Sequence, residues 1–216
     1  MLSVSSYKVG PLQTNCYVIV DQDTNKAAII DPGGQSQALD DKIKHIGKEN
    51  IKYILLTHGH FDHIMLSNKY KNLTGAKIAI NKLESDFTKN SNLNLSNLFT
   101  DKGMQPFNPD ILLDDYDVLD LGNTKIKVRL TPGHTRGSSC FIMDDCIFSG
   151  DTLMKGCIGR TDFVTGDYND IKKSLEIFLN MDTDYKIYPG HGDETTLNYE
   201  KENNPYFGKV KYEDLY

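Results

Sequence analysis

THGHFDH, residues 57–63, follows without interruption on IKYILL (51–56), and IKYILLT reads as the continuous apolar run of a buried strand. The chain holds six histidines, and three of them, His58, His60 and His63, fall inside this one segment. Neutral imidazole suits zinc and the neighbouring first-row metals, and a carboxylate such as Asp62 adds anionic ligation for a divalent ion. In an extended turn, alternate side chains project to opposite sides. His58 and His60 then serve one ion while Asp62 and His63 reach a second. The competing reading, a solvated polar loop, leaves the clustering unexplained.

Two ions need more ligands, and candidates stand wherever a later strand ends: His134 in TPGHT (131–135), Asp151 in SGDT (149–152) and His191 in YPGHG (188–192). Each adjoins a glycine, Gly133, Gly150 or Gly190, which lets the backbone turn sharply and come close to an ion. Taken singly, any of the three is an ordinary turn residue; the first cluster gives them weight as a set. Asp31, in the DPGG turn at 31–34, either orients a ligand histidine from behind or simply forms the turn. His45 lies on a predicted helix away from these turns and is expected to face solvent.

Outward from the histidine segment, NCYVIVDQDTNKAAIIDPGG (15–34) predicts a hairpin turning at Asp21 to Asn25. Residues 35–49 place Leu39, Ile43 and Ile46 at helical spacing, IMLSNKYKNL (64–73) predicts a helix, and KIAI (77–80) a short strand. Residues 89–110 form an Asn-rich loop whose Leu93, Leu95, Leu98, Phe99 and Phe107 line a substrate entrance, make a subunit contact or belong to a mobile insertion. The second half repeats the pattern: strand TKIKVRL (124–130), hairpin SCFIMDDCIFSGD (139–151), helix NDIKKSLEIFLNM (169–181) and strand-turn YKIYPGHG (185–192). No linker separates the halves. The expectation is an α/β fold in one domain over residues 1–216, two packed sheets flanked by helices in four layers, with the strand-end loops gathered at one edge.

Composition is consistent with this. The 216 residues are 38% hydrophobic and 25% charged, and no apolar run approaches the ~20 residues of a membrane helix. The net charge of −6 argues against affinity for nucleic-acid phosphates or an anionic membrane, so a small-molecule substrate is expected. MLSVSSYKVG lacks the features of a secretion signal, and Cys16, Cys140, Cys146 and Cys157 show no CxxC spacing, so reduced thiols and a cytoplasmic location are expected. The chain has no GxSxG elbow, no GxxxxGK loop and no HExxH helix.

THGHFDH, TPGHTRGS, SGDTLMKGCIGRTD, YPGHG and ETTLNYEKENNPYF, spread from about residue 15 to residue 207, resemble the metallo-β-lactamase superfamily and, within it, the glyoxalase II-like hydrolases. The resemblance implies an αββα sandwich and two divalent metal ions, zinc favoured, with iron and manganese also compatible. It implies one ion on His58, His60 and His134, the other on Asp62, His63 and His191, with Asp151 bridging them and orienting the hydroxide they share. That hydroxide attacks a thioester carbonyl and a thiolate leaves, with no side-chain nucleophile. Zinc β-lactamases commonly place a cysteine in the second site, where this chain has aspartates, so antibiotic hydrolysis is not expected.

Substrate residues are harder to carry over. Full-length glyoxalase II enzymes hold glutathione with an additional C-terminal helical segment, whereas 25 residues follow His191 here. Arg160 and Lys155 are candidates to meet a substrate carboxylate, with an internal pair between Arg160 and Asp162 as the other reading. The GRTDF segment (159–163) is also similar to that of the persulfide dioxygenases, which use a single iron held by two histidines and one aspartate. An RNA-processing nuclease and a noncatalytic metal-binding module are the remaining alternatives. Oligomeric state is not readable from the sequence.

Overall fold

Twelve strands and five α-helices make up the computed structural model, which describes residues 1–99 and 103–208. The first half contributes β1 (Leu2–Val9), β2 (Thr14–Asp21), β3 (Lys26–Ile30), α1 (Gln37–Ile46), β4 (Ile51–Leu56), α2 (Phe61–Ile64), α3 (Ser67–Thr74), β5 (Lys77–Asn81) and β6 (Ile111–Leu113). The second half contributes β7 (Val118–Leu121), β8 (Thr124–Leu130), β9 (Ser139–Met143), β10 (Cys146–Gly150), α4 (Tyr168–Leu179), β11 (Lys186–Pro189), β12 (Thr195–Thr196) and α5 (Leu197–Asn203). Each half builds a six-stranded mixed sheet in chain order, β1 to β6 and β7 to β12.

Alternation along the strands explains why the sheets stack. In β2, Tyr17 and Ile19 point into a core shared with Val128, Phe141 and Phe148 of the second sheet, while Val18 and Val20 point the other way, onto Leu39, Ile43 and Tyr70 of α1 and α3. In β9, Phe141 joins the central core, and its neighbour Cys140 packs with Leu175 and Phe178 of α4 and Leu197 of α5. Four layers result, helix–sheet–sheet–helix, as the sequence predicts. The helix ends follow local chemistry: Ser36 caps α1 by accepting the Leu39 N–H, Asp167 caps α4 by accepting the Asp170 N–H, and α3 stops at Gly75 in the left-handed region (φ 77°).

Several elements differ from expectation. The segment after His60 is not an extended turn: His63 and Ile64 both donate to the His60 carbonyl, and Phe61–Ile64 coil into α2, so Asp62 and His63 project from a helical turn. The helix expected over 64–73 begins at Ser67. β1, β6, β7 and α5 have no counterpart in the sequence reading. β1 (LSVSSYKV) carries a polar, half-exposed edge, and β6 and β7 are three and four residues long, too short to show a period. Residues 100–102 of the expected 89–110 loop lie outside the described residues. His45 is exposed, three of the four cysteines are buried, and among the described residues no helix is long and apolar enough to cross a membrane.

Candidate metal centre

Five loops leave the strands at one edge of the sandwich. β3 runs into Asp31, β4 into Thr57 to His63, β8 into His134, β10 into Asp151 and β11 into His191. These loops bring together all seven side chains singled out in the sequence. His58, His60 and His134 offer ligand atoms within 4.8 Å of one another; so do His58, His63 and Asp151, and so do Asp62, His63 and His191. Asp151 stands between the groups, with Oδ1 3.5 Å from His63 Nε2 and Oδ2 3.5 Å from His134 Nε2 and 3.7 Å from His191 Nε2. The close approach depends on glycine: Gly150 turns with φ +50°, and a Cβ at Gly190 would sit 2.1 Å from Asp151 Oδ1.

The outer contacts fix which nitrogens face inward. His63 Nδ1 lies 2.9 Å from Asp31 Oδ2, so the ring donates there and turns Nε2 into the site. The Thr57 hydroxyl donates to the same Asp31 oxygen at 2.7 Å, having then only lone pairs for His58 Nδ1 at 3.1 Å; His58 also points a bare Nε2 inward. Asp31 Oδ1 further accepts the Thr57 N–H at 2.8 Å. Asp31 therefore does more than form the turn: one carboxylate sets two imidazoles. His134 donates Nδ1–H to the Arg160 carbonyl at 2.7 Å, which leaves its Nε2 as a lone pair 2.9 Å from His60 Nδ1.

Among the described residues, four buried side-chain atoms have no hydrogen-bond partner: the Nε2 atoms of His58, His60 and His63, and Oδ1 of Asp151. Buried polar atoms are nearly always paired, so orphans gathered in one place point to a missing partner that accepts lone pairs. The electrostatics agree. Burial alone would lower the His63 pKa, but Asp62, Asp151 and Asp31 outweigh it and push the pKa up to about 10. Burial would likewise raise the Asp62 carboxyl, yet His63, His191 and the Thr14 hydroxyl, which donates at 2.8 Å, hold it well below the usual carboxylate range. His58, His60 and His134 are pushed down, first by burial and then by neighbouring imidazoles. Carboxylates thus draw positive charge to His63 beside the neutral imidazoles of His58, His60 and His134, and this donor set fits divalent cations.

The remaining candidates divide. Arg160 reaches the cleft wall, but its side chain pairs with Asp162 through Nε at 2.9 Å and through a second nitrogen at 2.7 Å, which favours the internal-pair reading. Lys155 does not line the cleft; it lies 3.6 Å from Asp193 beside a neighbouring depression with Met154 and Cys157. Of the uncertain loop, Leu95, Leu98 and Phe99 line the cleft, and Phe107 is buried.

The sequence reading missed Glu84. Fully buried, it accepts the N–H of Gly59, between His58 and His60, and the N–H of Gly137, past His134, both at 2.8 Å. Burial, partly offset by these donors and by Thr135 and Arg136, raises its pKa to about 7. A lone glutamate after a short strand carries no spacing signal, and only the fold reveals what it joins.

Comparison with known proteins agrees with this geometry. Residues 9–191 match the sequence profile of the family described as the Metallo-beta-lactamase superfamily. The chain is 34% identical over 209 residues to hydroxyacylglutathione hydrolase GloC of Haemophilus influenzae, covering 95% of this chain and 98% of that one. Among solved structures it is similar to the BLEG-1 B3 metallo-beta-lactamase (31% identity, TM-score 0.86, 95% of this chain and all of that one). It is also similar to TTHA1623 in a di-iron-bound form (27% identity, TM-score 0.81, 94% and 99%).

Proposed function

The chain belongs to the metallo-beta-lactamase superfamily, and from that premise we propose that it is a metal-dependent hydrolase of thioesters, of the hydroxyacylglutathione hydrolase type. The observation that carries the reading is one buried cluster of imidazoles and carboxylates in which nitrogens of His58, His60 and His63 and Oδ1 of Asp151 have no hydrogen-bond partner. His58, His60 and His134 would hold one divalent ion, Asp62, His63 and His191 a second, and Asp151 would lie between them. Bound ions of this kind lower the pKa of a shared water and polarise a carbonyl oxygen, which is the chemistry that acyl hydrolysis needs.

The chain's own residues prepare the rest. Asp31, with Thr57, keeps the lone pairs of His58 and His63 turned inward, and the Arg160 carbonyl does the same for His134. Thr14 holds Asp62, and Asp151 orients the attacking water between the two groups. In the net reaction the water oxygen bonds to the acyl carbon while the C–S bond breaks and sulfur leaves with the bonding pair. One water proton ends on the sulfur, and the carboxylic acid loses the other to solvent at neutral pH. No serine or cysteine nucleophile is needed; Cys16 and Cys140 are buried, and burial raises both thiols.

The GloC relative supports the thioester reading, and the BLEG-1 relative makes β-lactam cleavage the second reading even though the site offers no cysteine ligand. The test is elemental analysis of the purified protein paired with hydrolysis of lactoylglutathione, several other thioesters and a chromogenic β-lactam, with and without oxygen. Thioester cleavage without an oxygen requirement supports the proposal. β-Lactam cleavage alone, oxygen uptake with glutathione persulfide, RNA cleavage, or bound metal without activity would each assign the site to a different reading.

A further inference from the structure

Building on the thioesterase reading, we propose that Leu95, Leu98 and Phe99 form an apolar lip that binds an aliphatic or aryl substituent of the thioester. The cleft over the histidines has a volume of about 360 Å³, and Leu12, Phe61 and Phe163 continue its apolar wall. Leu98 is 67% exposed, Phe99 52% and Leu12 42%, an unusual concentration of large apolar side chains at the mouth of a site. The Phe99 ring lies against Phe61, next in sequence to His60, with centroids 4.4 Å apart. A substituent on that surface is therefore adjacent to the reacting centre.

The lip is built, not merely exposed. The Phe61 N–H donates to the Asn94 carbonyl at 2.8 Å, and the buried Asn94 amide donates to the Phe87 carbonyl at 2.6 Å. The Met104 N–H donates to the buried Ser96 hydroxyl at 3.1 Å. Leu95 is held at φ +64°, a conformation that side-chain-bearing residues rarely adopt. Buried hydrogen bonds and a strained leucine thus hold Leu98 and Phe99 over the cleft, partly in water, where a folded chain on its own gains least from them. Polarity points the same way. Among the described residues the one cationic side chain on this wall is Arg160, already paired with Asp162 and stacked on Phe163 with 4.3 Å to the ring centroid. An anionic substituent would have to displace Asp162, whereas an aliphatic one needs only to cover Leu98 and Phe99.

The test varies the two ends of the substrate separately: N-acetylcysteamine thioesters from acetyl to octanoyl, with benzoyl, and acetyl thioesters of ethanethiol to octanethiol. kcat/KM should rise about three- to fourfold per methylene in one series until the cleft is filled. Leu98→Ser and Phe99→Ser should flatten that rise, and the responding series identifies which end the lip holds. In parallel, calorimetry compares S-octyl with S-ethyl N-acetylcysteamine, which cannot be hydrolysed; the octyl compound should bind more tightly, and Leu98→Ser should erase the difference. A flat series with equal binding of the two thioethers overturns the proposal. So does a Leu98→Ser protein that changes oligomeric state in the ultracentrifuge with its chain-length preference intact, because the lip is then a contact between copies. If no thioester is cleaved while the octyl preference in binding persists, the lip stands and the thioesterase reading falls.

Discussion

Asp31 accepts the Nδ1–H of His63 at 2.9 Å, and that contact joins a turn residue at the end of β3 to the helical turn that closes the histidine segment. Because the same oxygen also receives the Thr57 hydroxyl, which in turn faces His58, a single side chain orients two imidazoles of the cluster. Such outer contacts generally matter nearly as much as the ligands they orient.

Asp31→Asn tests this directly. The amide can present NH2 to His63, forcing the ring to turn Nε2–H toward the site, where it cannot donate a lone pair. Metal affinity should fall about 10- to 100-fold by competition with a chromogenic chelator. An Asp31→Asn protein of unchanged affinity would show that the contact is only structural.

Asp151 is the side chain that reaches both sides of the cluster. Asp151→Ala should abolish turnover and lower metal content, and elemental analysis with the thioester assay checks both. Near-normal hydrolysis by this variant would refute the bridging role.

The parts of this arrangement visible in the sequence are those carried by local pattern. THGHFDH is dense enough in histidine to stand out, and the apolar run before it marks β4 as a buried strand, so the seven candidates and the layered fold could be named in advance. The helical turn at Phe61–Ile64 could not, because four residues closed on the His60 carbonyl are too few to show a helical period. Glu84 and Thr14 were invisible for another reason. Each is a lone polar residue whose partner lies 25 to 53 residues away for Glu84 and 48 for Thr14, and spacing rules reach only neighbours in sequence. In the sequence the lip shows only as scattered leucines and phenylalanines, and the hydrogen bonds of Asn94 and Ser96 separate a built wall from a loose insertion.

Charge in the cluster gives a pH signature. In the metal-free protein His63 has a pKa near 10, above its unfolded value near 6.5. Its contribution to stability is therefore fully present below about pH 6.5 and is lost as pH rises through about 10. The Tm of metal-stripped protein should decline across that window, and His63→Gln should remove the decline. Because a ligand imidazole must be neutral, adding zinc at neutral pH should release about one proton, read by calorimetry in buffers of different ionisation enthalpy. Metal content should also fall below about pH 6, and unchanged occupancy at much lower pH would contradict imidazole ligation.

Glu84 links the loop of His58 and His60 to the loop of His134 by accepting one backbone N–H from each. Glu84→Ala strands two buried donors, at a cost of about 1–3 kcal/mol for each group left unpaired, and frees both loops. Glu84→Gln separates the two effects, because the amide keeps the volume and one acceptor but sets an NH2 against the second donor. Removing the buried carboxylate also has a pH sign. Its pKa is raised from 4.5 to about 7, so ionising it opposes folding, and that penalty grows as pH rises from about 4.5 through 7. Relative to wild type, Glu84→Gln should be most destabilised at acid pH and recover part of the difference above pH 7, while metal affinity stays reduced throughout. Denaturant melts at two pH values with chelator competition at each measure both, and a variant with wild-type affinity at both would limit Glu84 to holding the fold.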